Sequence, residues 1–312
     1  MSILDHLNEF HGLPAFDVPL PDKEVSLPEP DTVAWRISAP ADGKYDFDER
    51  FHHFLTSVAP HRVRALIIGQ WDEIYESDAD AVIEPLLMAK DRLTSLEAVF
   101  IGDMTAEESE ISWIEQSDVT PLLHAYPGLR ELSVRGGSKL SFPAVTHANL
   151  RTLRFETGGL PGAVVRGVAA SDLPALEHLE MWLGVEEYGG DATVADLAPI
   201  LSAGRFPALR HLGVQNSEIQ DEIAVAMAAA PVVAQLESLA LSMGVLTDEG
   251  AAALLDGQPL THLQRLDLDH NWVSAPMEQR LRGALEPSGV KVEMSVKPYE
   301  YASGDRYTAA NE

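Results

Sequence analysis

A short apolar pattern that recurs along most of the chain is the feature that most constrains its fold. The pattern is LxxLxL, in which L stands for an apolar residue and x for a variable one. The clear copies are Val63-Leu66-Ile68, Leu96-Val99-Ile101, Leu129-Leu132-Val134, Leu150-Leu153-Phe155, Leu176-Leu179-Met181, Leu209-Leu212-Val214, Leu236-Leu239-Leu241 and Leu263-Leu266-Leu268. They start 33, 33, 21, 26, 33, 27 and 27 residues apart, which indicates structural units stacked along one axis. Weaker copies at Val33-Trp35-Ile37 and Val290-Val292-Met294 flank them, so we expect about ten turns capped by these two.

Each copy alternates apolar and variable residues, which predicts a strand with its apolar side chains turned inward. Because all copies run in one direction, the strands should form a parallel sheet. Apolar patterns of helical period lie between them, and the predicted helices are 79–90, 119–125, 193–203, 221–230, 248–255 and 276–285. After the copies that start at Leu129 and Leu150 we expect irregular loops instead, because Gly136, Gly137 and Pro143 disfavour a helix there.

Composition narrows the range of functions. The chain has 49 acidic and 22 basic residues and a formal charge of -27, which disfavours nucleic acid and anionic membrane as partners. It has no cysteine, which excludes disulfides, cysteine nucleophiles and cysteine-ligated metal sites. Apolar stretches stay short of the roughly 20 residues that span a bilayer, and the first residues do not read as a signal peptide. These features predict a cytoplasmic protein.

The stretch Leu236-Glu-Ser-Leu239-Ala-Leu241, followed by Leu246-Thr-Asp-Glu-Gly250, resembles the ribonuclease-inhibitor-like subclass of leucine-rich repeats. The next copy ends in Asn271, where that family places an asparagine whose amide bonds the backbone of neighbouring turns. Asp103 and Gly136 stand near the corresponding position in earlier copies. The Pro-rich central copies are also similar to a bacterial family of standalone leucine-rich-repeat proteins of undefined role.

The resemblance implies an α/β leucine-rich-repeat solenoid, an arc or horseshoe with a concave parallel β-sheet and with helices and irregular loops on the convex side. It also implies a protein-binding role without catalytic residues. We therefore expect a leucine-rich-repeat domain over residues 31–297. Residues 1–30, with five prolines, should form an extended segment that caps the domain, and residues 298–312 a mobile tail.

The variable residues of each strand should face outward on the concave side. They are apolar near the N-terminus, at Phe100 and the nearby Trp71, and mix charge with an aromatic ring in the middle. The predicted site for a protein partner comprises Trp71, Phe100, Arg135, Arg154, Glu156, His178, Glu180 and Trp182. The alternative is that Phe100 and Trp182 are covered by the N-terminal segment or by flanking loops.

Two other functions compete with this hypothesis. A peptide or small-molecule sensor would use an apolar pocket near Ile67, Trp71 and Phe100. A metal-binding or hydrolytic site would use His178, Glu180 and His211, since two imidazoles and a carboxylate can hold a divalent ion. We expect no enzyme activity, no cofactor and no bound metal, because the repeat pattern alone accounts for these residues as solvated positions on a sheet face.

Overall fold

A computed structural model describes residues 5–40, 43–72, 77–298 and 305–310. In this part of the chain twelve strands form one open sheet whose order follows the sequence. The strands are β1 (Glu9–Phe10), β2 (Leu13–Asp17), β3 (Ala34–Pro40), β4 (Ala65–Asp72), β5 (Ala98–Ile101), β6 (Glu131–Arg135), β7 (Thr152–Glu156), β8 (His178–Gly184), β9 (His211–Ser217), β10 (Ser238–Ala240), β11 (Arg265–Asp267) and β12 (Lys291–Glu293). β1 is antiparallel to β2, and the other pairings are parallel.

The repeat pattern sets the register of this sheet. Leu212 pairs with Leu179 on one side and with Leu239 on the other, and Leu239 pairs in turn with Leu266. These leucines are fully buried, as the alternation predicts. The weak copy at Val33-Trp35-Ile37 does form a strand, β3, but it is not the first of the stack, because β2 pairs with it.

Eight helices lie between the strands of the described residues. They are α1 (Phe47–Ser57), α2 (Asp80–Met88), α3 (Thr120–Ala125), α4 (Gly162–Ala170), α5 (Val194–Leu201), α6 (Gln220–Met227), α7 (Asp248–Asp256) and α8 (Ala275–Leu285). Short 3-10 helices lie at Pro60–Arg62, Ile111–Trp113, Glu186–Tyr188, Pro231–Gln235 and Glu286–Ser288. The helices α2, α3 and α5 to α8 confirm the six predicted helices, with ends that differ from the predicted ones by up to three residues. None of the helices in the described part of the chain has the length and apolarity needed to cross a membrane.

The sequence patterns missed α1 and α4. The signal for α1 was present, because Asp46 and Glu49 form a capping box and Phe47, Phe51 and Phe54 share one buried face. The expectation of an irregular loop after the copy at Leu150 is wrong, since α4 follows it. The loop expected after Leu129 is present and is tied to its neighbours by isolated bridges such as Glu115 to Ser138.

One continuous core runs between the sheet and the helices, and it contains the inward residues of the strands from Trp35 to Val292. Asn271 lies four residues after β11 and is buried. Its amide donates to the Leu241 carbonyl at 2.8 Å and accepts from the Leu246 amide at 3.0 Å. The backbone bonds implied by the family resemblance are therefore present.

Two smaller apolar clusters lie on the face of the sheet opposite the helices, which we call the concave face. The first gathers Phe10 with Ile67, Phe100 and the alanines beside them. The second gathers Ile111, Trp182 and Ala310. Segments from outside the repeats thus pack on the concave face as well.

Candidate functional site

The N-terminal hairpin of β1 and β2 covers the first part of the concave face. The ring of Phe10 meets that of Phe100 edge to face, with centroids 5.8 Å apart. His11, at the turn of the hairpin, reaches as far as β6, where its Nδ1 lies 2.9 Å from Glu131 Oε2. Ile67 and Phe100 are fully buried beneath this hairpin. The expectation that Phe100 faces a partner is therefore wrong. Phe100 is instead covered by the N-terminal segment, which was the alternative.

Trp71 is also fully buried, but in the main core. The reason is a register shift between β3 and β4, in which Ile37 pairs with Ile68 and Ala39 already pairs with Trp71. One extra residue on β4 reverses the alternation, so Trp71 points toward the helices. The predicted apolar pocket at Ile67, Trp71 and Phe100 is consequently wrong, because these side chains are split between two filled cores.

A buried ionic network lies next to the hairpin. Arg36 Nε donates to Asp103 Oδ2 at 2.7 Å, and Arg135 Nε donates to Glu156 Oε2 at 2.9 Å. Arg135 also donates to the Met104 carbonyl at 2.7 Å, which ties the network to the connection after β5. Arg135 and Glu156 retain exposed fractions of only 3% and 4%, so the prediction that they contact a partner is wrong. Their charges are satisfied inside the protein.

Trp182 is covered from two sides. Ile111 of the connection between β5 and β6 packs against it, and so does Ala310 of the C-terminal segment. Its exposed fraction is 6%, and its indole nitrogen donates to Glu180 Oε1 at 3.2 Å. The expected exposure of Trp182 is therefore wrong. Residues 305–310 lie on the concave face, in contrast to the expected mobile tail, and residues 299–304 and 311–312 lie outside the described residues.

Between these covers a band of the concave face stays accessible, and we call it the open strip. It runs across β7 to β11 at the first outward position of each strand and, on β7, β8 and β11, at the middle outward position as well. Its half-buried or exposed residues are Thr152, Arg154, His178, Glu180, His211, Ser238, Arg265 and Asp267. Three of the predicted site residues, Arg154, His178 and Glu180, belong to it.

Glu180 is the centre of the open strip. Arg154 Nε and His178 Nε2 each lie 3.1 Å from its Oε2, and Trp182 donates to its other oxygen. Burial alone would raise the pKa of Glu180, but Arg154 and His178 outweigh burial and lower the pKa to about 2. Glu180 therefore stays ionised and holds Arg154 in place, with 30% of the arginine side chain exposed.

His178 and His211 stack face to face, with ring centroids 4.0 Å apart and planes 11° from parallel. His211 Nδ1 lies 2.6 Å from Ser238 Oγ. Burial, and secondarily the neighbouring His178, lower the pKa of His211 to about 3. His211 is therefore a neutral imidazole near neutral pH.

The same three residues are the metal site considered from the sequence. Candidate ligand atoms of His178, Glu180 and His211 lie within 4.8 Å of one another. Parallel imidazole planes do not aim their lone pairs at one point, and Arg154 already neutralises the carboxylate. An ion would require the rings to rotate. The geometry thus disfavours the metal alternative, and the absence of a bound metal stays a prediction.

Sequence reasoning missed Asn216 and Met243, which anchor the C-terminal segment. Asn216 accepts from the Ala310 amide at 2.9 Å, and the Met243 carbonyl accepts from the Ala309 amide at 2.8 Å. Both have left-handed backbone, with φ of 52° and 69°. An asparagine two residues after Val214, the last apolar residue of its copy, was a usable signal, because asparagine tolerates that conformation.

Comparison with known proteins agrees with this architecture. The family model described as Leucine Rich repeat matches residues 235–255 and 260–276. A crystal structure of a Bacteroides fragilis protein is similar over 90% of this chain and 78% of that chain, with 32% sequence identity and a TM-score of 0.81. No curated protein matches the sequence. On the shared fold, the repeat match and this identity, the chain belongs to the leucine-rich-repeat family.

Proposed function

We propose that this protein is a non-enzymatic interaction module that binds a protein partner on the open strip of its concave face. Leucine-rich-repeat domains generally mediate protein-protein interactions. The observation that supports the proposal is that other segments cover only the apolar parts of the concave face. A hairpin, a loop connection and the C-terminal segment close the apolar parts, and a polar band across five strands is left accessible.

The dimensions of the open strip suit a segment of polypeptide. Five adjacent strands at about 4.8 Å spacing give a band roughly 19 Å long, which is the reach of about six extended residues. Arg154 near one end and Arg265 near the other offer guanidinium groups, and arginine is enriched at the energetic centres of interfaces. Because Glu180 and Asp267 pair with these arginines, the strip presents fixed charges of both signs.

The charge of the whole molecule adds a preference for the partner. A formal charge of -27 attracts a basic protein and repels nucleic acid. Complementary charge acts mainly on the rate of encounter and on specificity, whereas the strip supplies the contacts.

The test is affinity capture with the wild type and a double variant, followed by binding measurements with the purified partner. The variant carries Thr152→Tyr, which adds bulk in the strip, and Arg154→Gln, which removes the charge and keeps a donor for Glu180. We expect the affinity to fall by at least about tenfold, the effect of losing one interface hot spot.

The matched control is Arg166→Gln on α4, since Arg166 is exposed on the helix side and pairs with Asp196. It should bind like the wild type. Circular dichroism and thermal unfolding check that both variants fold. If the folded double variant keeps the affinity of the control, the partner does not bind on the open strip.

A further inference from the structure

The C-terminal segment is held on the concave face through its main chain. The Ala310 amide donates to Asn216 Oδ1 at 2.9 Å, and the Asn216 amide donates back to the Ala310 carbonyl. One residue earlier, the Ala309 amide donates to the Met243 carbonyl at 2.8 Å. These bonds are the kind by which a protein recognises a bound peptide, because they engage groups that every residue has.

Side chains add selectivity at Tyr307 and Ala310, on either side of the buried Thr308. Ala310, with 3% exposure, lies in the cluster with Ile111 and Trp182, where a larger residue has no room. Tyr307 packs edge to face against the rings of Trp272 and His270, with centroids 5.5 and 6.0 Å away. The residues around the segment thus select an aromatic residue that is followed, three positions later, by a small residue.

The groups that hold the segment are fixed by the repeats themselves. The side-chain amide of Asn216 also donates to the Thr157 carbonyl at 3.1 Å. The backbone amide of Asn216 donates to the Ser242 carbonyl. The Met243 backbone amide donates to the Asp269 carbonyl at 2.8 Å. Both residues keep a left-handed backbone, which costs free energy and persists where the surroundings hold it in place. These bonds do not involve the segment, so we regard the site as formed before the segment binds.

We propose that Ile111, Trp182, Asn216, Met243 and Trp272 form a peptide-binding slot, and that residues 305–310 are its internal occupant. The external ligand is a protein segment with an aromatic residue three positions before a small one, as in Tyr307-Thr-Ala-Ala310. The slot residues lie outside the open strip, so the slot is a second binding site, which adjoins the first where Trp182 donates to Glu180 at 3.2 Å. A tethered occupant competes at an effective concentration on the order of millimolar, so an external segment binds once the internal one is displaced.

The experiment measures binding of a synthetic peptide to the full chain. The peptide has the sequence of residues 305–310, Asp-Arg-Tyr-Thr-Ala-Ala, with both ends blocked and a fluorescent label. In the variant Ala310→Glu the internal segment no longer fits beside Trp182, which opens the slot. We expect this variant to bind the peptide at least about tenfold more tightly than the wild type does.

Two controls make the result specific. Arg306→Glu changes charge at an exposed position of the same segment and should leave binding at the wild-type level. A peptide that ends in glutamate instead of the second alanine should not bind to the opened chain. Tyr307→Gly is a second way to open the slot, by removing the ring contacts without adding a charge.

The proposal is overturned if the opened variants fold and do not bind the peptide, or if they bind the altered peptide equally well. It is overturned as well if the wild type binds the peptide as tightly as Ala310→Glu does. Because Thr152 and Arg154 are not part of the slot, these outcomes leave the test of the open strip unaffected.

Discussion

His211 links the fold to the protonation state of the open strip. Its ordinary pKa of 6.5 falls to about 3 in the folded protein, first because of burial and then because of His178. Below pH 6.5 the His211 imidazole is protonated in the unfolded chain but stays neutral in the folded chain. The contribution of this pKa shift to the free energy of unfolding is therefore fully present above pH 6.5 and is lost as the pH falls toward 3. Glu180 acts in the same direction at lower pH, since its pKa falls from 4.5 to about 2.

We predict that His211→Gln flattens the dependence of stability on pH between 6.5 and 4.5, the window in which the Glu180 contribution is still complete. The free energy of unfolding is measured by urea denaturation at several pH values in this window. His52→Gln, on the exposed face of α1, serves as the control and should keep the wild-type slope. An unchanged slope in His211→Gln would contradict the assignment of this loss to His211.

At the scale of single residues the sequence was informative where a side chain acts within its own repeat. Asn271 bonds the backbone of the turns beside it, as the resemblance to the repeat family implied. The burial of Phe100 and Trp182 depends instead on Phe10 and Ala310, which lie far away along the chain. No local pattern encodes such contacts. Five of the eight predicted site residues proved to be buried, and one of them, Trp71, is buried because of the register shift in β4.

At the scale of elements, α4 shows how closely one turn of the stack approaches the next. A Cβ atom built on Gly167 would lie 1.7 Å from the Phe142 carbonyl oxygen of the preceding loop. Neither the helix nor that loop can absorb such an overlap without moving. Glycine at this position of the helix is therefore required by packing.

We predict that Gly167→Ala destabilises the protein by about 1–3 kcal/mol, the cost of overpacking a filled core. The matched substitution is Gly283→Ala in α8, where a Cβ would meet nothing within 4 Å. It should stabilise the protein by up to about 1 kcal/mol, because alanine favours the helix and restricts the unfolded chain. Chemical denaturation measures the free energy of unfolding of both variants. Equal effects of the two substitutions would mean that Gly167 does not lie close to the Phe142 carbonyl.

For the whole molecule, the strong negative charge should affect the rate at which a partner associates. If a basic partner binds on the open strip, its association rate constant should fall roughly tenfold or more as salt rises past about 0.1 M, where the Debye length is about 10 Å. The dissociation rate should change little. Stopped-flow or surface-based kinetics measure both rates.

The blocked peptide of residues 305–310 is a suitable control for this salt dependence. It carries one aspartate and one arginine and so has no net charge, and its binding to the opened slot should vary little with salt. An association rate of the protein partner that is equally insensitive to salt would contradict electrostatic attraction by the chain as a whole.

The overall architecture was predictable because each repeat buries its own residues against its neighbours, so sequence order and spatial order coincide. The leucines of the pattern specified strand direction, register and inward face. The covers of the concave face were not predictable, because the hairpin and residues 305–310 have no repeat pattern. Their position follows from complementary surfaces that exist only after the stack has formed.

The reversal of β1 has a consequence for the behaviour of the protein in solution. A stack of parallel strands offers its outer backbone groups to the next copy and can grow into fibres. Here the N-terminal edge ends in a two-residue strand that runs the opposite way, and the other edge ends in the three-residue strand β12, with its exposed Lys291. Both ends are poor templates for head-to-tail polymerisation. The twelve-stranded sheet of the described residues is therefore poorly suited to extend from one molecule into the next.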